Sequence, residues 1–242
     1  MKEKNFVFDS SFVLTEGSPF QIKEAYKALR TNILFSLSID TCKKILVTSA
    51  QPSDGKSINC VNLAISFAQT GARVLILDGD LRRPNVARIL NTHGGDGISN
   101  VLVNLAKLED VIQHTQYQGL DVIFSGDIPP NPAELIGTQK MAEILEELSG
   151  RYDYLFIDAP PVNAVTDASI LSKYVDGVVL VVRQNYTEKK NVEEAIKQLT
   201  FAGAKLLGFV FNAVDQNEKK YGRYSRYAKS YHNDYGDYSQ RG

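Results

Sequence analysis

Three groups of polar residues, each directly after an apolar run, carry the side chains that could do chemistry. The first is the segment AQPSDGKS at 50–57, which follows the apolar residues 45–47 and precedes apolar residues at helical spacing as far as 68. It meets the pattern GxxxxGK(S/T), with Ala50 in place of the first glycine. The backbone N–H groups of such a loop and the positive end of the following helix attract phosphates. We therefore predict a strand, a phosphate-binding loop and a helix here.

Two side chains of this loop have defined tasks in phosphoryl chemistry. Lys56 is expected to reach the β- and γ-phosphates of a nucleotide, and Ser57 is expected to ligate Mg²⁺. A surface turn that happens to contain GKS is the alternative, which the flanking strand and helix patterns disfavour. The positions that we expect to bind the nucleotide are Ser53, Asp54, Gly55, Lys56, Ser57 and Ile58.

The second group, DGDLRRP at 78–84, follows the apolar run 73–77. Ligands of open α/β sheets lie at the carboxyl ends of the strands, so this group is expected beside the phosphates. A carboxylate of Asp78 or Asp80 could hold Mg²⁺ or take a proton from an attacking hydroxyl, and Arg82 could offset charge in the transition state. A solvated loop is the alternative, which the phosphate-binding loop upstream makes the weaker interpretation.

Asp158 forms the third group, at the end of the apolar run YLFI at 154–157. An apolar strand that ends in Asp is the usual second acidic element of a phosphate-loop nucleotidase and places its carboxylate in the outer shell of the metal. Asn212 follows the last apolar run and is a candidate for contacting the nucleotide base. The histidines His93 and His114 are isolated, so we interpret both as structural or solvated.

The elements that must position these groups alternate between apolar strands and helical patterns. This alternation predicts an α/β fold, namely a P-loop NTPase-like doubly wound, mostly parallel sheet flanked by helices. Short helices and turns are expected over 84–116, and the proline-rich segment 128–132 is expected to be a loop. Besides the first strand, strands are predicted at 73–77, 120–124, 154–157, 178–182 and 206–211, and helices at 141–148 and 192–199.

An amphipathic helix is predicted over 19–38, because apolar residues recur there at helical spacing. Glu24, Lys27 and Arg30 lie on or beside its other face, which is either a solvated face with one weak ion pair or a subunit contact. Residues 1–18 carry no periodic pattern and are expected to form an extended or mobile arm. The apolar face comprises Ile22, Tyr26, Leu29, Ile33 and Leu37.

Length and composition fit one globular domain, which we place at 19–215, with short extensions. The 242 residues carry a net charge of -1 and are 43% hydrophobic, which argues against a disordered or a globally nucleic-acid-binding chain. Cys42 and Cys60 lack metal-ligand spacing and are expected to be reduced thiols. No apolar run is as long as a membrane span, so membrane association is expected to come through a partner.

The composition changes after 215, and the segment 216–242 contains six of the twelve tyrosines. A helix with the rings on one face is one interpretation, but two glycines and a lack of aliphatic residues disfavour it. Basic residues between the rings would also suit a nucleic-acid-binding tail. The leading interpretation is a set of phosphoacceptors, since each phosphate adds up to about two negative charges. The six are Tyr221, Tyr224, Tyr227, Tyr231, Tyr235 and Tyr238.

Together these segments resemble the motifs of the bacterial tyrosine kinases that control capsular and extracellular polysaccharide synthesis. In that family the phosphate loop corresponds to 50–57, the second acidic motif to LILDGDLRRP and the third to YLFIDAPP. The segment PPNPAEL and the C-terminal tyrosine cluster are similar to further features of the family. The first helix resembles its ExxRxxR motif at Glu24, Lys27 and Arg30, although Lys27 stands where the family usually has arginine.

The resemblance implies an ATP-dependent protein-tyrosine autokinase in which the tail of one subunit is phosphorylated by its neighbour. Asp78 would be the base for the tyrosine hydroxyl, with Asp80 able to exchange roles with it, and Arg82 would be the supporting cation. The residues implied to act in catalysis are Lys56, Asp78, Asp80, Arg82 and Asp158, and those implied to hold Mg²⁺ are Ser57, Asp78, Asp80 and Asp158.

The resemblance also implies a location and partners. The chain would be cytoplasmic and peripheral to the membrane, activated by the cytoplasmic end of a separate membrane adaptor of the chain-length-regulator type. It would form a homo-oligomer with ring-like self-association, would be dephosphorylated by a cognate tyrosine phosphatase and would bind no nucleic acid.

A partitioning or scaffold ATPase of the Min/Par kind is the strongest rival, because its phosphate loop and sheet are similar. Such proteins usually carry a second lysine at the place of Gln51 and have no tyrosine tail, so both features favour the kinase. A non-enzymatic scaffold gated by nucleotide binding is a further alternative.

Overall fold

A computed structural model of the chain describes residues 12–37 and 42–214. Most of the predicted arm and the whole tyrosine-rich tail, with its six tyrosines, lie outside the described residues. Contacts divide the chain after Asn212, and every helix and strand named below belongs to the unit Met1–Asn212.

Seven strands form one sheet in the order β3-β4-β2-β5-β1-β6-β7. All neighbours pair in parallel except β3 and β4, which are antiparallel. The predicted α/β fold with a mostly parallel sheet is therefore confirmed. The strands are β1 Lys43–Ser49, β2 Val74–Asp78, β3 Ile112–His114, β4 Leu120–Ile123, β5 Tyr154–Asp158, β6 Gly177–Arg183 and β7 Leu206–Asn212.

Helices cover both faces of this sheet, and each face has its own apolar cluster. Alternate residues of one strand enter different clusters, as Leu46 of β1 does on one side and Ile45 and Val47 do on the other. The helices are α1 Phe20–Ser36, α2 Lys56–Ala68, α3 Val86–Ile89, α4 Ile98–Leu102, α5 Leu108–Val111, α6 Pro132–Ile136, α7 Gln139–Ser149, α8 Asp167–Leu171 and α9 Lys189–Phe201.

Strand β3 is the main element that the sequence pattern did not predict. Short helices and turns were expected over 84–116, and α3, α4 and α5 do lie there. The three residues of β3 pair antiparallel with β4 at the edge of the sheet, where His114 lies opposite Asp121. A run of three residues is too short to carry an alternating pattern, so only its partner strand defines it.

Helix α1 packs on α2 with part of the predicted apolar face. Ile33 and Leu37 are buried, and the Tyr26 hydroxyl donates to Asn59 Oδ1 over 3.0 Å. Ile22 was expected on the same face, yet it is 44% exposed, because the contact with α2 covers only the later turns.

The residues opposite this contact behave differently from one another. Lys27 and Glu24 form an exposed ion pair with 2.8 Å between Nζ and Oε1. Arg30 instead reaches α2, where its guanidinium donates to the Ser66 backbone oxygen and to Ser66 Oγ. Arg30 therefore holds α1 against α2 of the same chain.

Part of the segment predicted as an arm is anchored to α2 as well. Val13 and Leu14 are buried, with Leu14 only 2% exposed. The Leu14 N–H donates to Asn62 Oδ1 over 2.8 Å, and Asn62 Nδ2 donates to the Phe12 oxygen over 2.9 Å. One asparagine of α2 thus pairs both a backbone donor and a backbone acceptor of this segment.

The remaining expectations about the chain concern thiols and the membrane. Cys42 is half-buried and Cys60 is buried, and both are free thiols. Over residues 12–37 and 42–214, no helix combines the length and the apolar character needed to cross a membrane.

We predict that Leu14→Ala lowers the free energy of unfolding by about 2–4 kcal/mol, because it leaves a cavity beneath the anchored segment. Urea titration followed by circular dichroism measures the change. The matched control is Phe12→Ala, whose side chain is 66% exposed and whose loss should cost less than about 0.5 kcal/mol. Equal effects of the two substitutions would show that the segment does not contribute to the folded core.

Candidate nucleotide site

The phosphate-binding loop lies between the end of β1 and the start of α2. Gly55 precedes the first turn of α2 with φ +93°, and a Cβ atom there would overlap the Asn212 amide. Ser53 also has positive φ, at 68°. Glycine is needed at 55 both for its backbone conformation and for this close approach, and the loop can therefore curl around the amino end of the helix.

Lys56 joins the three groups that the sequence singled out. Its Nζ lies 2.9 Å from Asp80 Oδ2, 3.3 Å from both oxygens of Asp158 and 3.1 Å from Ser57 Oγ. Burial acts to lower the pKa of Lys56, but the attraction of Asp158, Asp80 and Asp78 outweighs it, so the pKa is raised and the lysine stays charged.

The carboxylates of Asp78 and Asp158 end neighbouring strands and face each other in register. Asp78 is 1% exposed and accepts from the backbone N–H groups of Val86 and Asp80, over 3.2 and 3.3 Å. Burial, and next the charge of Asp158, raise the pKa of Asp78 to about 8. Burial likewise raises the pKa of Asp158, against the attraction of Lys56.

The side chains around Lys56 that could bind a metal ion carry more negative charge than the lysine balances. Three carboxylates surround the single ammonium of Lys56, and the Ser57 hydroxyl lies among them. Carboxylate and hydroxyl oxygens are the ligands that Mg²⁺ prefers in proteins. Within the described residues, no three acidic, histidine or cysteine side chains are arranged to hold a metal ion on their own. The chemistry of the side chains at this site therefore suits a magnesium ion that is also bound by the phosphates of a nucleotide.

Arg82 is held in place by a residue that the sequence pattern did not reveal. Its Nε and Nη2 donate to Asp167 Oδ2 and Oδ1 over 2.9 and 3.0 Å, and Asp167 is fully buried at the start of α8. This paired contact fixes the plane of the guanidinium. Only tertiary structure brings residues 82 and 167 together, so no local signal could have identified the pair.

A cavity of about 450 Å³ opens beside Lys56 and Asp80. Arg82 and Arg83 are among the residues that line it. The apolar residues of its lining are Pro52, Pro160, Pro161, Ala164 and Val165.

The end of β6 and the loop that follows it form hydrogen bonds with the phosphate-binding loop. Thr187 Oγ1 donates to Asp54 Oδ1 over 2.7 Å, and Arg183 donates to the Ser53 oxygen over 3.2 Å. Asp54 is completely buried, and burial raises the pKa of its carboxyl group despite the hydrogen bonds that it accepts from Thr187 and from the Gln51 N–H. The sequence placed Asp54 in the loop but gave no sign of Thr187.

Asn212 also contacts the phosphate-binding loop, because its Nδ2 donates to the Asp54 backbone oxygen over 2.8 Å. Its contact with a nucleotide base stays a prediction. The two isolated histidines lie away from the site: His93 is exposed, and His114 Nδ1 lies 2.7 Å from Asp121 Oδ1 at the sheet edge.

The fold and the loop define a nucleotide-binding protein of the P-loop class, and comparison with known proteins narrows the class. Residues 42–206 match the family model described as an AAA domain. Tyrosine-protein kinase YwqD of Bacillus subtilis is 40% identical over 204 residues, covering 84% of each chain. Tyrosine-protein kinase CpsD of Streptococcus agalactiae is 35% identical over 208 residues, covering 86% of this chain and 90% of the relative.

Comparison with solved structures supports the same class of protein. The crystal structure of the chimerical protein CapA2B2 superposes with a TM-score of 0.81 at 38% identity, covering 86% of this chain and 92% of that one. The septum site-determining protein MinD of Pyrococcus horikoshii, complexed with Mg-ADP, gives 0.63 at 26% identity and covers 73% and 72%. The chain belongs to the bacterial tyrosine kinase family, as the sequence motifs predicted.

We predict that Gly55→Ala weakens nucleotide binding and destabilises the chain more than Gly71→Ala does. Both glycines have similar positive φ, so each substitution costs roughly 1–2 kcal/mol of backbone strain. Only at 55 would the added Cβ overlap a side chain, which should cost about 1 kcal/mol more. Urea unfolding and titration with a fluorescent ATP analogue measure the two effects. Equal losses would mean that the approach of Asn212 does not constrain the loop.

We predict that Asp78→Asn stabilises the chain in the absence of Mg²⁺ and nucleotide. Above about pH 4 the unfolded chain ionises Asp78, whereas the folded chain keeps it protonated up to about pH 8, so stability is lost as the pH rises through this window. Asparagine does not ionise, so its advantage should grow from pH 4 to pH 8 and raise the midpoint of thermal unfolding by roughly 2–4 °C or more.

Asp153→Asn is the control, and we expect it to change the midpoint of thermal unfolding in the opposite direction. Hydrogen bonds from the Arg73 side chain and backbone lower the pKa of Asp153, so its ionised form favours the folded state. Its substitution should therefore lower the midpoint above pH 4. Thermal scans from pH 4 to pH 8 compare the two, and a lower midpoint for Asp78→Asn throughout would contradict the prediction.

Proposed function

We propose that the chain is an ATP-dependent protein-tyrosine autokinase, which phosphorylates tail tyrosines of neighbouring subunits and so regulates the synthesis and export of capsular or extracellular polysaccharide. The convergence of Lys56 with Ser57 and three carboxylates at the carboxyl ends of β1, β2 and β5 carries this proposal. Relatives named tyrosine-protein kinases, which match along most of their length, supply the class of reaction.

ATP would bind with its β- and γ-phosphates on the loop that includes Ser53, Asp54 and Gly55. Backbone N–H groups and the amino end of α2, at Lys56–Ile58, would face the phosphate oxygens. The ammonium of Lys56 would then exchange its contacts with Asp80 and Asp158 for contacts with the phosphates. Asn212 lies beside the loop on the β7 side and would contact the base.

Ser57, Asp78, Asp80 and Asp158 would hold Mg²⁺. When bound, the ion would neutralise charge on the β- and γ-phosphate oxygens. Excess carboxylate charge around Lys56 supports this assignment: burial first, and next the charge of Asp158, raise the pKa of Asp78, and a divalent cation would offset the repulsion between the two carboxylates.

In the transfer, the acceptor tyrosine oxygen forms a bond to the γ-phosphorus while the bond to the β,γ-bridging oxygen breaks. ADP leaves, and the hydroxyl proton passes to Asp78, whose carboxylate lies at the end of β2 beside Asp158. Asp80 shares the same strand end and could exchange roles with Asp78. Arg82, oriented by Asp167, would offset the charge on the transferred group.

Self-association is proposed through the outer surface of α1. Glu24 and Lys27 form an exposed pair there, whereas Arg30 is engaged with Ser66 and would support the surface from behind. Family resemblance adds two partners: a membrane adaptor of the chain-length-regulator type, whose cytoplasmic end would activate the kinase, and a cognate tyrosine phosphatase. The chain would then act in the cytoplasm, beside the membrane.

The partitioning ATPase alternative is weaker. MinD superposes less closely than CapA2B2 does, with TM-scores of 0.63 and 0.81. Gln51, at the place of the second lysine, accepts from Asn191 Nδ2 over 2.8 Å and donates to the Tyr186 oxygen over 3.4 Å. Both hydrogen bonds tie the Gln51 side chain to residues of the same chain.

We predict that Lys56→Met abolishes phosphotyrosine formation. The purified chain is incubated with Mg-ATP and a cytoplasmic adaptor fragment, and tail phosphotyrosine is quantified by mass spectrometry. Loss of the charge that holds the phosphates should reduce the rate by about 100-fold or more.

Lys44→Met is the control, because Lys44 lies at the opposite end of β1 and pairs with Glu146. This variant should retain the phosphorylation of the unsubstituted chain. ATP hydrolysis by the unsubstituted chain without any phosphotyrosine would overturn the proposed function in favour of a scaffold ATPase.

A further inference from the structure

The cavity beside Lys56 and Asp80, which we call the acceptor cavity, lies on the side of the site away from Asn212. In the sheet, β2 and β5 are on one side of β1, and β6 and β7 are on the other. Arg82 and Pro161 follow β2 and β5, whereas Asn212 ends β7. The entering and leaving oxygens of a phosphoryl transfer lie roughly in line, on opposite sides of the phosphorus. A nucleotide with its base towards Asn212 would therefore receive its acceptor through this cavity.

The walls of the cavity suit a tyrosine side chain. Ala164 is exposed, Val165 is half-exposed, and both lie beside Pro160 and Pro161. Lys56 and Asp80, at the place assigned to the γ-phosphate, line the same cavity as these apolar residues. A phenol ring could pack on the wall while its hydroxyl reaches the reacting group.

The side chains of the two arginines that line the cavity differ in their freedom to bind a ligand. The Arg82 guanidinium is already paired with Asp167 through two hydrogen bonds. The Arg83 N–H donates to Asp80 Oδ1 over 3.0 Å, which fixes the backbone, while its side chain is exposed. Within residues 12–37 and 42–214, no ion pair involves Arg83. Its positive charge is therefore available to a residue next to the acceptor tyrosine.

The tail tyrosines differ in the charge of the residue that precedes each of them. Asp234 precedes Tyr235 and Asp237 precedes Tyr238. Basic residues precede three others, and a serine precedes the sixth. Electrostatic complementarity at the rim of a binding site selects between otherwise similar partners. The basic pairs are Lys220-Tyr221, Arg223-Tyr224 and Arg226-Tyr227.

We propose that the acceptor cavity selects tyrosines preceded by an acidic residue, with Arg83 as the residue that recognises the acid. Tyr235 and Tyr238 of a neighbouring subunit are then the preferred phosphoacceptors, ahead of Tyr224 and Tyr227. This inference rests on the proposed kinase function and adds the specificity of its acceptor site.

Initial rates of phosphorylation at each tail tyrosine test the proposal, measured on the full chain with Mg-ATP and the adaptor fragment. We expect the summed rate at Tyr235 and Tyr238 to exceed that at Tyr224 and Tyr227. Arg83→Glu should reverse the charge preference and lower the ratio by about twofold to fivefold, the range expected for one exposed ion pair. Arg88→Glu makes the same charge change at an exposed arginine outside the cavity and should leave the ratio unchanged.

A charge exchange within the tail separates recognition from position along the chain. The double variant Asp237→Arg with Arg226→Asp should slow phosphorylation of Tyr238 and accelerate that of Tyr227. Phosphorylation that follows position instead of charge, or a ratio that Arg83→Glu leaves unchanged, would overturn this inference while leaving the kinase function intact. A complete absence of phosphotyrosine would instead overturn the proposed function.

Discussion

The structure depends above all on the charge balance around Lys56, where one ammonium group lies among Asp78, Asp80 and Asp158 in a buried site. Burial of three carboxylates is unfavourable unless cations and hydrogen bonds compensate for the lost hydration. Lys56 and backbone N–H groups provide part of this compensation, and the raised pKa of Asp78 reflects the remainder. A site of this kind gives up stability for the ability to bind phosphates and a metal ion.

The parallel sheet makes this concentration of charge possible. Three strands that run in the same direction end at one edge, so residues separated by up to 102 positions in sequence come within hydrogen-bonding distance. Two braces then stabilise the site from opposite sides. Asp167 fixes Arg82 on the β2 side, and Thr187 fixes the phosphate-binding loop on the β6 side. The cavity that Arg82 and the prolines help to line is the space that we propose for an acceptor.

The same fold serves proteins with different functions, so the sheet alone does not identify a kinase. MinD shares the architecture, and the closer superposition with CapA2B2 and the identity to tyrosine-protein kinases place the chain in its family. Two features of the sequence favour the kinase over the partitioning ATPase: Gln51 in place of a second lysine, and the six tyrosines after 215.

The sequence by itself determined the fold class, the phosphate-binding loop and the three acidic strand ends, because apolar runs and turn residues are local signals that survive without a partner. Tertiary structure alone decided the rest. Strand β3 exists through its pairing with β4, and Leu14 is buried because Asn62 of α2 satisfies the backbone beside it. Asp167 and Thr187 became part of the site only when distant segments came together, since a hydrogen bond between residues 85 or 133 positions apart leaves no pattern in either segment.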